Sequence, residues 1–517
     1  MEPAASPQPV ADDAPLRGEL LGSDRLAAEA RRLARIQVWE QNASRRRTPL
    51  LGLVATAKRQ LDTVYQTLAA DTRDDIPVSP AAEWLLDNFY LIEEQIRTVA
   101  DDLPERYGAE LPRLTSGPYA GYPRVFEAIL TLVEHTDSRI DRRQLELFVM
   151  AYQDTSPLSI GEVWAIPIML RITLIENLRR LSRRVLEAHQ SVVGGDRFAD
   201  RLLEAATSGA EAMAQRVAEL DRVHADAPGS FLVRLSQRMA GQDAALAPLA
   251  DWLSAELDRR DVSLEQLTMA THHRQATDQV SVANAITSVR FLGSLEWRDF
   301  FECTNLVEAV LREDPAGVYG RMDFASRDRY RHAIEGLAKR CPLDEITVAE
   351  AAVSTALESL AHDPADALRG HVGHYLISSG RYALEESVDY RPQFRERLYR
   401  GPLSARGLIY WGSLGLVTAG LAVAIGLLAA TLTTATWVAV VLAALAIVPV
   451  SDVALTFVNR IAGKLWPART LPKIDYRQPV APAHRTLAVY TALLTSPAAA
   501  QHVIDNMEVG YLANSDP

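Results

Sequence analysis

The uncharged stretch GLIYWGSLGLVTAGLAVAIGLLAATLTTATWVAVVLAALAIVPVS fills residues 407 to 451. A helix needs roughly 20 apolar residues to cross a bilayer, and this run is more than twice that length, so it reads as two transmembrane helices. The hydroxyls of Thr431-Leu-Thr-Thr434 interrupt it and mark a turn between Leu408–Ala430 and Ala435–Leu455. Helices keep every backbone hydrogen bond inside the segment, as hydrocarbon requires. Gly412, Gly415, Gly420 and Ala424 are small enough to let the two approach closely. Asp452 is the one acid nearby and is expected at the cytoplasmic interface, within two turns of Arg460. Its alternative role is as a partner inside a larger bundle.

Outward from the hairpin, Arg391, Arg395, Arg397, Arg400 and Arg406 precede it, and Arg460, Lys464, Arg469 and Lys473 follow. Basic flanks stay on the cytoplasmic side, so both are expected there. Tyr410, Trp411 and Trp466 fall where aromatic belts form. The opening Met1-Glu-Pro-Ala-Ala-Ser-Pro7 has no basic and apolar leader, which again keeps the soluble region cytoplasmic.

A net charge of -12 over 517 residues gives no general attraction to phosphate backbones, and nucleic acid is excluded as a partner class. Two cysteines, Cys303 and Cys341, build neither a disulfide framework nor a thiolate zinc site. The sequence predicts a mainly α protein in four parts. Residues 1–20, rich in Pro, Ala and Asp, are expected to be disordered. Residues 21–400 form a cytosolic all-helical domain, 406–460 the hairpin, and 472–517 the start of a further domain.

Helical periodicity dominates the long region. Trp84, Leu85, Phe89, Ile92, Ile96, Val99 and Leu103 make one apolar stripe begun by Ser79-Pro80 as N-cap and first residue. Asp141 with Gln144 and Ser159 with Glu162 read as capping boxes. The second opens a helix from Ile160 to about Leu186 that is apolar nearly all round and hence central, with Pro167 inside it. Ala227-Pro-Gly-Ser230 breaks a later helix, and Val280 to Leu292 forms another stripe. No period-two alternation appears before the hairpin, so no sheet is expected there. Beyond it, Arg485–Leu494 reads as a buried strand and Ser496-Pro497 caps a helix to about Met507. A single βα unit cannot cover both faces of its strand, so this tail reads as the truncated opening of an α/β domain.

Chemistry is sparse. Glu296, Asp299 and Glu302 flank Trp297, a pattern that fits partners for Arg290 and Arg298 better than a glycosidase carboxylate pair. His272 and His273 diverge by about 100° on a helix and do not share a metal. No GxGxxG, GxxxxGK[ST] or GxSxG motif occurs. No residue is nominated as catalytic, cofactor-binding or metal-ligating.

Several segments together carry a family likeness: Ala82-Glu-Trp-Leu-Leu-Asp-Asn-Phe89, Gly121-Tyr-Pro-Arg124, Glu134-His-Thr-Asp-Ser-Arg139, Val289-Arg-Phe to Asp299-Phe300, Glu313-Asp-Pro-Ala-Gly-Val-Tyr319 and Met322-Asp-Phe-Ala-Ser-Arg-Asp-Arg-Tyr-Arg331. From about Leu50 to its last residue the chain resembles the N-terminal portion of bacterial cyclic β-1,2-glucan synthases. Thr486–Leu494 and Glu508–Pro517 resemble the start of that family's glycosyltransferase domain.

The resemblance implies an inner-membrane glucosyltransferase assembly using UDP-glucose and a divalent metal, both held by a catalytic domain this chain lacks. It implies a scaffold and anchor, inactive alone, in a bacterial cytoplasmic membrane with both ends cytoplasmic. Its partners would be lipid and the remainder of the synthase or a separate glycosyltransferase chain. A free-standing membrane-anchored module binding a partner protein or glucan is the other expectation, with Trp84, Trp164, Trp252 and Trp297 as sugar-stacking candidates.

Overall fold

The computed structural model describes residues 13–41, 49–103, 110–223, 227–240, 247–364, 366–392, 406–432, 435–465, 471–475 and 489–513. They are mainly helical, as expected, and the chain packs as two compact units, Met1–Leu306 and Val307–Pro517. That boundary falls inside the 21–400 stretch read as one domain.

The first unit runs through α1 (Ser23–Ile36), α2 (Leu50–Arg73), α3 (Pro80–Asp87), α4 (Phe89–Asp102), α5 (Arg124–His135), α6 (Arg142–Gln153), α7 (Ile160–Ser208), α8 (Ala210–Val223), α9 (Gly229–Met239), α10 (Ala247–Arg259), α11 (Leu264–Ser294) and α12 (Trp297–Thr304). Helix α7 is its axis, 49 residues long, with α2, α4, α5, α9 and α11 packed on it. The Ser159–Glu162 capping box is complete, and Ile166, Met169, Leu170, Ile172, Leu174 and Leu178 are fully buried. Burial of such side chains stabilises by about 1.5–3 kcal/mol each. Pro167 stands within the helix, which continues to Ser208, well beyond the expected Leu186.

Local signals are realised unevenly. Ser79 accepts from the Ala82 amide, but the stripe from Trp84 to Leu103 is cut at Asn88, whose amide bonds back to the Trp84 carbonyl. Asp141 accepts from the Gln144 amide, yet the Gln144 side-chain oxygen makes no return bond, so that box is half formed. A two-residue antiparallel ladder, Trp39–Glu40 with Arg113–Leu114, corrects the expectation of no sheet before the hairpin. Two residues give no alternation to read.

Residues 13–20 correct the expected disorder, while residues 1–12 lie outside the described residues. Asp13 pairs with Arg179 and Arg183, the Leu16 amide donates to Asn177 Oδ1 at 2.7 Å, and Leu16 is buried. Arg17 donates to Ser281 Oγ and lies 3.5 Å from both Asp137 and Asp278. This stretch is fixed by individual charge pairs and backbone bonds, which leave no periodic trace.

The second unit contains α13 (Leu306–Leu311), α14 (Phe324–Ala338), α15 (Glu345–His362), α16 (Val372–Ile377), α17 (Arg381–Ser387), the apolar pair α18 (Arg406–Leu432) and α19 (Thr436–Leu465), and α20 (Pro497–Ala513). Helices α14 to α17 bury Ile334, Leu337, Val348, Ala352, Leu376 and Leu384 among themselves. Of the expected strand Arg485–Leu494, residues 489–494 form no ladder, and 485–488 lie outside the described residues. A strand needs a neighbour to accept its backbone bonds, and none is present among the described residues. The cap at Ser496 is made, with its hydroxyl accepting from the Ala499 amide at 3.2 Å.

Candidate membrane junction

Helices α18 and α19 are each long and apolar enough to cross a membrane, and they leave most of their surface uncovered. They pack against each other along Ala422, Ala429, Ala439, Val450, Ala454 and Val458. A Cβ on Gly426 would lie 3.0 Å from the Ala443 Cβ, so this glycine sets the closest approach. Gly412, Gly415 and Gly420 meet nothing within 4 Å, so the seam lies on a different small-residue row from the one expected. The Tyr410 hydroxyl donates to Asn459 Oδ1 at 2.7 Å and ties the open end. Of the expected turn, Thr433 and Thr434 lie outside the described residues.

Both flanks of the hairpin attach to one helix. Before it, the Arg391 amide donates to the Arg340 carbonyl just past α14, and Arg340 donates to the Tyr390 hydroxyl at 3.0 Å. After it, Ile474 bridges Met322 in antiparallel fashion. The Asp323 amide donates to the Lys473 carbonyl at 2.9 Å, the Asp475 amide to the Arg321 carbonyl at 2.8 Å, and the Lys473 amide to Ser326 Oγ. Residues 473–475 thus act as a short strand laid on the entrance to α14. Sequence reading missed this, because three residues carry no period.

Beneath the clamp lies a buried polar cluster. Glu308 is enclosed and accepts from Arg331 at 2.6 Å and from the Tyr319 hydroxyl at 2.6 Å. Asp314 accepts from the Val318, Tyr319 and Val372 amides and from His371 Nδ1 at 2.9 Å, and His371 Nε2 lies 3.0 Å from the Tyr330 hydroxyl. The Gly317 φ of 62° turns the loop so that these amides converge on one carboxylate. At Gly373 any Cβ would collide with the Tyr330 hydroxyl.

The Asp314–His371–Tyr330 row has the order of a proton relay, but Tyr330 is buried and its hydroxyl is pushed up to about 12 by burial. An enclosed, protonated phenol offers a substrate no nucleophile. The row fastens the loop to α16.

Two titrations follow. Burial alone would raise the Asp314 carboxyl, but the His371 hydrogen bond and backbone donors outweigh it and hold it below the usual 3.8. A carboxyl depressed on folding contributes stability that is fully present above the unfolded value and lost as pH falls through the folded one. Asp314→Asn is therefore expected to lower stability at neutral pH and to flatten the acid limb in denaturant unfolding below 3.8. At the other end of the scale, the Asp328 carboxylate pushes exposed His332 up to about 9. That pair's support is present below 6.5 and lost as pH rises through about 9. An NMR titration of the His332 ring should fall back towards 6.5 in Asp328→Asn, and an unchanged midpoint would refute the assignment.

The other sequence candidates are not brought together. Arg290 donates to Asn88 Oδ1, and Trp297 meets the Leu292 carbonyl, the Phe300 ring and the Arg171 guanidinium, 6.0 Å from its ring centroid. His272 and His273 are exposed on α11. Trp164 stacks on Phe301 at 4.3 Å, the Trp252 Nε1 donates to Asp221, and Trp84 is partly exposed.

The motifs behind the family likeness are structural knots. Arg124 is buried, donates to both Glu162 oxygens at 2.7 and 2.8 Å, and lies 4.0 Å from the Trp39 ring centroid. Asp137 and Ser138, with φ of 47° and 63°, end α5 and receive Ser281, Asn284, Asn177 and Ser288 from α7 and α11.

No family model matches the chain. It is similar to the protein described as "Cyclic beta-(1,2)-glucan synthase NdvB" of Rhizobium meliloti (strain 1021), at 29% identity over 463 residues. The match covers 88% of this chain and 16% of that protein. The chain thus spans about a sixth of its relative's length, and the likeness read from the motifs extends along most of it.

Proposed function

We propose that this chain is the N-terminal scaffold and membrane anchor of a cyclic β-1,2-glucan synthase. Its glucosyl transfer from UDP-glucose, with a divalent metal, belongs to the part of such a protein outside the matched region. In this reading α18 and α19 span the bacterial inner membrane, both flanks lie in the cytoplasm, and the chain alone does not turn over UDP-glucose.

The observation that carries it is the return of residues 473–475 onto α14, which also holds Arg391 through Arg340. An even number of crossings returns the chain to the same side. Basic residues at both ends favour the cytoplasm as that side. Helix α20 supports a following transferase domain, since Ile504, Val509, Tyr511 and Leu512 are exposed and such a domain would cover them.

Purified chain in detergent, supplied with radiolabelled UDP-glucose and Mg²⁺, is expected to yield no polymer. Robust β-1,2-glucan formation would overturn the assignment of chemistry elsewhere. For topology, protease added to sealed spheroplasts should spare both the region before α18 and the region after α19. Cleavage of either would reverse the orientation.

A second reading, a glucan-holding surface, is favoured by one groove between α2 and α4. Its volume is about 500 Å³, and it is lined by Tyr65, Phe89 and Tyr90 with Lys58, Asp62, Gln66 and Glu93. Phe89 is buried and stacked on Tyr65, but the exposed Tyr90 ring beside polar groups suits a pyranose. Calorimetric titration with a β-1,2-glucan oligomer should show binding that Tyr90→Ala removes; no heat with the parent chain would dismiss it.

A further inference from the structure

Asp452 lies in α19 seven residues from Asn459. At 1.5 Å per residue that is about 10 Å beyond the level of the Tyr410–Asn459 pair. Tyr410 and Trp411 mark the headgroup boundary if the hairpin spans a bilayer, and the inference rests on that reading. Lys and Arg reach a boundary from such depth by snorkelling, but an aspartate is too short. On that reading Asp452 lies deeper than the interface position expected from its distance to Arg460. The same reading puts its carboxyl in hydrocarbon.

It also faces away from α18. The seam residues Val450, Ala454 and Val458 are buried, whereas Leu445 is 68%, Val448 76% and Val453 61% exposed, and Asp452 is exposed with them. One turn earlier, Pro449 stands inside the helix. Proline has no amide proton, so the Leu445 carbonyl loses its donor four residues on. Leu445, Pro449 and Asp452, spaced four and three apart, share one face, and the aspartate side chain leans back towards the freed carbonyl. Two acceptors on one lipid-facing patch have no donor in hydrocarbon. The nearest cation along the helix, Arg460, is eight residues away, about 12 Å.

We infer that the Leu445–Pro449–Asp452 face is the docking surface for a further transmembrane helix carrying a basic side chain. An arginine or lysine at matching depth neutralises the carboxylate and can also donate to the Leu445 carbonyl. Charge complementarity identifies this occupant: a purely apolar helix supplies no donor, and a second copy brings another carboxylate to the same depth.

The test uses the full chain, donor-labelled and reconstituted in phosphatidylcholine vesicles, with acceptor-labelled polyleucine helices as probes. One probe carries a single arginine at the depth of Asp452, and the other carries leucine there. Energy transfer should show the arginine helix binding at least about tenfold more tightly, about 1.4 kcal/mol. Asp452→Leu should reduce it to the leucine helix's level, and Pro449→Ala, which restores a donor to Leu445, should weaken it less. Equal binding of both helices, or no loss in Asp452→Leu, overturns the inference. So does chain-to-chain transfer without a probe that Asp452→Leu abolishes, since the face would then join two copies. Vesicle flotation separates the two levels of failure: a chain that does not float refutes the membrane reading, and one that floats without discriminating the helices refutes this inference alone.

Discussion

Arg124→Ala is expected to lower the unfolding free energy of the first unit by about 3–5 kcal/mol, because removing one partner of a buried ion pair strands the other charge. Glu162 is the stranded group. Its side chain is wholly enclosed, and the lost guanidinium also holds Ser156 Oγ and the Pro157 carbonyl at 2.7 Å. The same carboxylate caps α7 by accepting from the Ser159 amide, so the damage reaches the start of the central helix.

Urea unfolding of detergent-solubilised chain measures the loss. Arg124→Lys should recover only part, because one ammonium cannot reproduce the planar fork that meets both oxygens. A loss below about 1 kcal/mol in the alanine variant would show the pair to be dispensable, as isolated surface pairs are.

Replacing residues 406–465 by a Gly/Ser linker should shift the chain almost entirely from the membrane pellet to the supernatant. The hairpin supplies two spans of mean hydropathy 2.1 and 2.5, the two described helices that are long and apolar enough to cross a membrane. The second unit should stay folded, because Lys473–Asp475 hold α14 through backbone bonds that need only a linker long enough to return. Near-native thermal unfolding of the soluble product would support that clamp as part of the second unit's own fold. Membrane retention at parent levels would place the anchor elsewhere.

The buried polar groups of this chain were mostly illegible beforehand, for one physical reason. Arg124, Glu162, Glu308, Arg331 and Asp314 pair across 23 to 58 residues of chain, and nothing local distinguishes a buried arginine from a solvated one. The segments that hold Arg124, Asp314 and Arg331 nonetheless carry the family likeness. Motif conspicuousness here came from knots that fix loops and helix ends.

What could be read from order of residues alone was whatever obeys a local rule: the apolar length of 407–451, the caps at Ser79, Ser159 and Ser496, and the stripe that buries α7. Each depends on a few neighbouring side chains, so spacing is sufficient. Packing in three dimensions settled the rest. It chose Ala422, Gly426 and Ala429 for the hairpin seam over the equally small Gly412 and Gly415, fastened residues 13–20 to α7 and α11, and returned 473–475 to α14. Those outcomes depend on which surfaces meet, and the energy of a meeting surface belongs to two distant segments at once.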